Sequence, residues 1–338
     1  MKAIGYKIPK AIAASESLVD IEIAKPLPEG HDILVEVKAV SVNPVDYKIR
    51  RSTPPAEGTD WKVIGWDAAG VVVAVGPSVT KFSPGDEVWY AGSIVRPGTN
   101  AEFHLVDERI VGRKPVKLNW ADAAALPLTS LTAWEAFFDR MDVKRPVPGA
   151  ANAVLIIGGA GGVGSIAIQI ARQFTDLTII ATASRPETRE FVTQMGAHHV
   201  IDHSKPLTKQ IDDLGIGAPA FVFSTTQTEQ HVPEIAELIA PQGRFGLIDD
   251  PNGFDIMLFK RKAVSIHHEL MFTRAIYQTP DMAEQGRILD KIAAAADEGG
   301  IRSTATIHLG AINAENLKRA HAQLESGSTI GKVVLEGF

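Results

Sequence analysis

Residues Ala153-Val-Leu-Ile-Ile-Gly-Gly-Ala-Gly-Gly-Val-Gly164, running on into Ser165-Ile-Ala-Ile-Gln-Ile-Ala-Arg172, decide the fold. The apolar run Ala153–Ile157 predicts a short buried strand, and Ser165–Arg172 an amphipathic helix. Between them, Gly159-x-Gly161-x-x-Gly164 sets glycines where a strand must turn tightly into a helix, where a backbone must approach a pyrophosphate, and where helix must pack close to sheet. The helix N-terminus then offers amides and a positive dipole end to an anion. Gly159, Gly161, Gly162, Val163 and Gly164 are therefore candidate cofactor-binding residues. A second strand, Leu177-Thr-Ile-Ile-Ala-Thr-Ala183, follows at the spacing of a βαβ unit.

A site for NAD wants an acid about 20 residues further on, to bind the ribose 2′-hydroxyl. Here Ser184 and Arg185 stand at that place. No carboxylate repels a 2′-phosphate, and a guanidinium can bind one in fork geometry. Arg189, one helical turn on, and His203, after the third strand, are placed to close the pocket. The expected cofactor is NADPH.

Strand-like segments recur at 199–202, 220–224, 243–248 and 264–269, separated by helical stretches. Six strands in all predict a doubly wound parallel sheet of the Rossmann kind. Ligands bind such sheets at the carboxyl ends of the strands, which marks Thr225 after the fourth strand and Ile248 and Asp249 after the fifth. Met271 and Phe272 follow the sixth and are expected to border a substrate pocket, with Arg274.

Residues 1 to about 124 read differently. Strands at 33–42, 67–76 and 82–90, closely punctuated by Gly, Pro and Asp, suit a small barrel. A helical stretch over 121–138 is interrupted by Pro127. The tail carries a helix over 282–297, a strand at 305–308, a helix near 314–324 and a strand at 332–335, and is expected to return to the first domain. At 338 residues, two domains are the default.

The formal net charge of -6 argues against a nucleic-acid partner. No apolar run approaches the ~20 residues of a membrane span, and Met1-Lys-Ala-Ile-Gly-Tyr-Lys lacks a signal-like apolar core; a cytoplasmic protein is expected. Cysteine is absent, so there is no disulfide, no thiolate nucleophile and no zinc site built on cysteine. The histidine groups His198, His199, His203 and His267, His268, Glu269 lie on strands that send neighbours to opposite faces, and no metal is expected there.

With Ser41-Val-Asn-Pro-Val-Asp46, Gly65-Trp-Asp-Ala-Ala-Gly70, Pro84-Gly-Asp-Glu-Val88, Ala125–Ala133, Gly158–Gly164 and Gly331-Lys-Val-Val334 in this order, the chain resembles the medium-chain dehydrogenase/reductase superfamily over its full length. It looks most like the zinc-independent quinone oxidoreductase branch, in the zinc-type alcohol dehydrogenase-like group. The resemblance implies a chaperonin-10-like β-barrel catalytic domain (1–124 and 273–338), interrupted by a Rossmann NADP-binding domain (125–272), with the active site in the cleft between. It also implies that Thr129 reaches the nicotinamide end of the cofactor. Zinc enzymes of the superfamily carry a cysteine ligand in the first of these loops and a histidine ligand in a Gly-His-Glu motif. Asn43 and Trp66 stand at those places, and the lobe that would hold structural zinc, Tyr90–Ala101, has no cysteine.

Without a Lewis acid, hydride addition is easier when it spreads charge over an enolate or phenolate oxygen. The expected reaction is NADPH-dependent reduction of a quinone or an enone. The alternatives are a metal-free alcohol dehydrogenase or carbonyl reductase, and an NADPH-binding protein without turnover. Asn43 and Tyr47 are the candidate catalytic donors, Tyr47 being equally readable as an aromatic packed at the barrel rim. Asp46 is read as tying the loop together, and Lys48 as adding charge. Trp61 and Trp66 are candidates to line an apolar acceptor pocket. A homodimer joined along the sixth strand is expected, which would remove an exposed sheet edge. A sedimentation mass of one 36.3 kDa chain would overturn that expectation.

Overall fold

The computed structural model describes residues 1–338. The chain divides into two compact units, one of Met1–Leu128 with Phe272–Phe338 and one of Thr129–Met271. In the first unit run β1 (Lys2–Tyr6), β2 (Val19–Glu22), β3 (Asp32–Val42), helix α1 (Pro44–Ser52), β4 (Lys62–Val63), β5 (Ala68–Val75), β6 (Glu87–Tyr90), β7 (Phe103–Asp107), β8 (Val111–Arg113) and α2 (Trp120–Ala124). The chain passes into the second unit inside α3 (Pro127–Trp134). Pro127 splits the expected 121–138 helix into two. With no N–H and a preset φ, it suits the first position of α3 better than the interior of a longer helix. Beyond Trp134 the backbone widens into a π-helical turn over Glu135–Arg140, which the sequence pattern did not signal.

The second unit continues with β9 (Ala151–Ile157), α4 (Gly162–Phe174), β10 (Thr178–Thr182), α5 (Pro186–Gln194), β11 (His199–Ile201), α6 (Leu207–Asp213), β12 (Pro219–Ser224), α7 (Thr228–Leu238), β13 (Arg244–Leu247), α8 (Met257–Lys260) and β14 (Ser265–His268). The chain then returns to the first unit through α9 (Thr273–Tyr277), α10 (Glu284–Glu298), β15 (Ala305–His308), α11 (Ala314–Glu325) and β16 (Lys332–Glu336).

In the first unit, β3 is the organising strand. Its opening half pairs with β7 and its closing half with β16, while β5 pairs along most of its length. Register shifts against β5 at Leu34/Val35 and Val37/Ala39 mark bulges of the kind that bend a strand and increase its twist. Gly70 on β5 is required by closeness, since a Cβ there would lie 2.2 Å from the Glu36 carbonyl oxygen of β3.

The second unit holds a six-stranded sheet, all parallel, in the order β11-β10-β9-β12-β13-β14. Strands covered on both faces read as continuous apolar runs rather than alternating ones, which is why β9 and β12 were legible. All six residues of β12 are buried. Phe221 and Phe223 each contribute roughly 1.5–3 kcal/mol relative to exposure. The order reverses between β9 and β12, and β14 forms one edge.

A buried acid pair joins the π-helical turn to the end of β14. Glu269 accepts from Arg140 Nε at 2.8 Å, and Arg140 lies 4.0 Å from Glu135. Burial, reinforced by Glu135, pushes the Glu269 carboxyl up to about 8 against the pull of Arg140. Above the ordinary carboxyl range the folded protein keeps a proton that the unfolded chain releases. The stability contributed by this group is therefore complete at low pH and is lost as pH rises through about 8. Glu269→Gln is expected to flatten the fall of melting temperature between pH ~5 and ~8, by an amount worth a few kcal/mol at most. Parallel pH profiles for parent and variant would refute it.

Candidate active site

The glycine turn lies at the point where the sheet order reverses. Gly158 has φ 81°, and a Cβ on it would stand 2.4 Å from Thr225 Oγ1. Thr225 in turn donates its amide (3.1 Å) and its hydroxyl (2.8 Å) to the Ile157 carbonyl, locking the end of β12 onto the end of β9. A Cβ on Gly164 would sit 2.2 Å from the Gly158 carbonyl oxygen, and one on Gly159 would sit 2.9 Å from Ala181 Cβ. Both glycines are thus needed for close packing of α4 on the sheet. At Gly161 a Cβ would meet nothing nearer than 3.4 Å, so here the absent side chain leaves the approach to the helix N-terminus open. The first-turn amides of Gly162, Val163 and Gly164 precede the helix's own acceptors and are oriented for an anion. This cradle fits a dinucleotide pyrophosphate.

Ser184 and Arg185 follow β10 after Ala183, and Arg185 is the residue before α5. Its exposed guanidinium lies 3.4 Å from the exposed Glu187 carboxylate, a pairing worth little in water. Arg189 needs correction as a phosphate ligand. Its guanidinium donates to the Ala183 carbonyl at 3.2 Å and to the Val200 carbonyl at 3.0 Å, bracing the end of β10 against β11. His203 is exposed beyond β11, close enough for its charge to act on His231. Ile248 is half-buried just past β13. Asp249 beside it accepts from the amide of Thr228 at 2.9 Å and from its hydroxyl, so it caps α7. Thr129 is buried in α3. Met271, the last residue of the second unit, is buried as well.

In the first unit, Asn43 stands between β3 and α1, and Tyr47 is the fourth residue of α1. Asn43 is only 1% exposed, and its amide is not available to a substrate oxygen. It donates to Asp67 Oδ2 at 2.8 Å and, more weakly, to the Ser41 carbonyl at 3.5 Å, while its oxygen accepts from Lys332 Nζ. The expected catalytic donor is thus a member of a buried network. Asp46 ties the loop as expected, its carboxylate accepting the Asn43 N–H at 2.6 Å. Its other oxygen is buried without a hydrogen bond. Burial and the neighbouring Asp67 push the Asp46 carboxyl up to about 7, against the Asn43 N–H and the Lys332 charge. Tyr47 is half-buried, and its hydroxyl makes no hydrogen bond within the protein.

Lys332 completes the network, donating to Asp67 Oδ2 at 3.1 Å and to the Val42 carbonyl at 3.0 Å. Neither Lys332 nor Asp67 had been assigned a role, although each lies in a motif, Gly331-Lys-Val-Val334 and Gly65-Trp-Asp67. Trp66 also needs correction. It is 1% exposed, donates its indole N–H to the Ser93 carbonyl at 3.1 Å, and meets Phe272 edge-on at 6.3 Å. The two form a buried aromatic pair rather than open pocket wall. Trp61 is half-buried beneath the Lys7 ammonium, 4.7 Å from its ring.

A family model of the alcohol dehydrogenase GroES-like domain matches residues 29–116, and one of the zinc-binding dehydrogenase matches residues 162–285. A zinc-type alcohol dehydrogenase-like protein of Staphylococcus aureus is 42% identical over 337 residues, 99% of each chain. The chain is a medium-chain dehydrogenase/reductase. This dehydrogenase/reductase is also similar to the crystal structure of a candidate zinc-dependent alcohol dehydrogenase from Rhizobium etli, with 73% identity, a TM-score of 0.98, and coverage of 100% of this chain and 98% of that one. Human quinone oxidoreductase is 37% identical over 200 residues, 58% of each chain.

Zinc in the names of these relatives makes the donor set of this dehydrogenase/reductase worth testing. At the two ligand places stand an asparagine whose oxygen already accepts from Lys332 and a tryptophan whose N–H is a donor. The ammonium of Lys332 touches the Asp67 carboxylate beside them. No three His, Cys, Asp or Glu side chains gather as a metal set, in either histidine group or elsewhere. His198 accepts the Ile179 amide at 2.9 Å and contacts Arg172, and His267 pairs with the Ser265 hydroxyl at 3.0 Å. These residues do not fit a zinc ion of the kind described above.

Proposed function

We propose that the protein is an NADPH-dependent, zinc-independent reductase of quinones or of activated carbon–carbon double bonds. The observation that carries this reading is the Asn43–Asp67–Lys332 network, which stands where zinc relatives hold ligands and supplies no open coordination site. A carbonyl whose oxygen takes up full alkoxide charge needs a strong electrophile beside it. An acceptor that spreads the charge into an enolate or phenolate needs only an oriented hydrogen-bond donor.

The nicotinamide would supply the hydride. The amides of Gly162, Val163 and Gly164 would hold the pyrophosphate, Arg185 and Ser184 the 2′-phosphate, and Thr129 the nicotinamide end. His203, Thr225 and Ile248 would border the cofactor. Tyr47 would donate its free hydroxyl to the acceptor oxygen as charge develops there. The surroundings of the acceptor would include Met271, with Trp61 and the Trp66–Phe272 pair as apolar backing.

The test is a panel of quinones, enones, aldehydes and secondary alcohols, with NADPH oxidation or NADP⁺ reduction followed spectrophotometrically. Quinones or enones are expected to turn over well ahead of aldehydes and alcohols, with chelators having no effect. Rapid oxidation of simple secondary alcohols with quinones and enones inert would favour a metal-free alcohol dehydrogenase. Tight NADPH binding with no turnover on any acceptor would leave a binding protein.

A further inference from the structure

Asp67 is fully buried, and its two carboxylate oxygens face different elements. Oδ2 takes the Asn43 amide and the Lys332 ammonium. Oδ1 accepts the N–H of Leu128 at 2.8 Å, 61 residues away in sequence. Leu128 is the second residue of α3, so its N–H is one of the first-turn donors that have no acceptor within the helix. Asp67, the residue before β5, thus caps α3 from a distant part of the chain, with a negative charge at the positive end of the helix dipole. Its own backbone is held as well, the Asp67 carbonyl accepting from the Ser41 amide at 3.3 Å and the Thr99 hydroxyl at 3.4 Å. Thr129 follows Leu128 directly.

We propose that Asp67 is a positioning residue for the cofactor: through the Leu128 amide it fixes the first turn of α3, and with it the orientation of Thr129 toward the nicotinamide. This rests on the reading of the protein as an NADPH-dependent reductase. Lys332 and Asn43 have a supporting part, since they fix the carboxylate that does the capping. An aspartate held only by Lys332 would neutralise charge without aiming Oδ1. Here the Asn43 amide and the Lys332 ammonium share Oδ2 and leave Oδ1 for Leu128.

The test compares binding of NADPH with binding of 2′,5′-ADP, which keeps the phosphate end of the cofactor and lacks the nicotinamide. Asp67→Leu, which keeps much of the volume and removes the acceptor for the Leu128 N–H, is expected to weaken NADPH about tenfold, the worth of one charge-assisted hydrogen bond. 2′,5′-ADP should bind as to the parent. Turnover should fall by a comparable or larger factor, because small misplacement of reacting groups is costly. Asp67→Leu also leaves Lys332 buried without its counter-charge, so the double variant Asp67→Leu/Lys332→Met is made alongside. It should regain melting temperature without regaining the preference for NADPH over 2′,5′-ADP. Recovery of that preference in the double variant would show that Asp67 serves only to balance charge, and would overturn the proposal. Equal weakening of both ligands, or of neither, would overturn it too. Failure of the parent protein to bind NADPH would overturn the reductase reading and this inference together, which separates the two failures.

Discussion

Tyr47→Phe is expected to lower kcat for quinone or enone reduction by ~10²–10³ while the acceptor KM changes little. The substitution keeps the ring and removes only the hydroxyl, so packing at the rim of the first unit is preserved. Of the two candidate donors at the start of α1, Asn43 has its amide committed to Asp67 and Ser41, whereas the Tyr47 hydroxyl has no partner in the protein. A donor without an internal partner gives up no protein hydrogen bond when it turns to a ligand, and its effect grows as oxygen charge develops. Steady-state kinetics on the best acceptor of the panel check this. Parental kcat in Tyr47→Phe would return Tyr47 to the role of packed aromatic and leave the oxyanion without a side-chain donor from the start of α1.

Arg185→Ala should weaken NADPH by ~10–100-fold and leave NADH within about twofold, since one charge-assisted contact to a 2′-phosphate is worth ~1.5–3 kcal/mol. One partner of Arg185 is the exposed Glu187 at 3.4 Å, whose hold in water is weak. Arg189 offers no substitute, because it is braced on the Ala183 and Val200 carbonyls. Arg189→Ala is therefore expected to act on the stability of the second unit more than on cofactor choice. Fluorescence titration with both cofactors decides the matter. Equal dissociation constants in the parent protein would sink the assignment of NADPH, and loss of both cofactors in Arg185→Ala would mark a folding defect.

The double winding of the second unit was legible because its signals are local. Parallel strands covered on both faces leave unbroken apolar runs such as Ala153–Ile157 and Ala220–Phe223, and a tight turn leaves glycines. The missing acid after β10 is equally local, a matter of one position and its charge. The barrel-like unit was less clear. The strand Lys2–Tyr6 and the pairing of β3 with three partners depend on contacts between segments far apart in the chain. The π-helical turn had no mark at all, since a register change in a helix is set by what packs against it.

By itself, then, the sequence determined the sheet, the glycine cradle, the absence of cysteine ligands and the residue types near the site. Only the tertiary structure decided which of those side chains are available. Asn43 and Arg189 carry the donors that the chemistry wants, yet each is engaged by groups the local sequence cannot name. Lys332 lies 289 residues from Asn43, and the acceptors of Arg189 are backbone carbonyls that any residue would present. Burial is the reason. A polar group removed from water must find a partner inside the protein, and the fold, bringing β16 and β5 to the loop after β3, determines which partner that is.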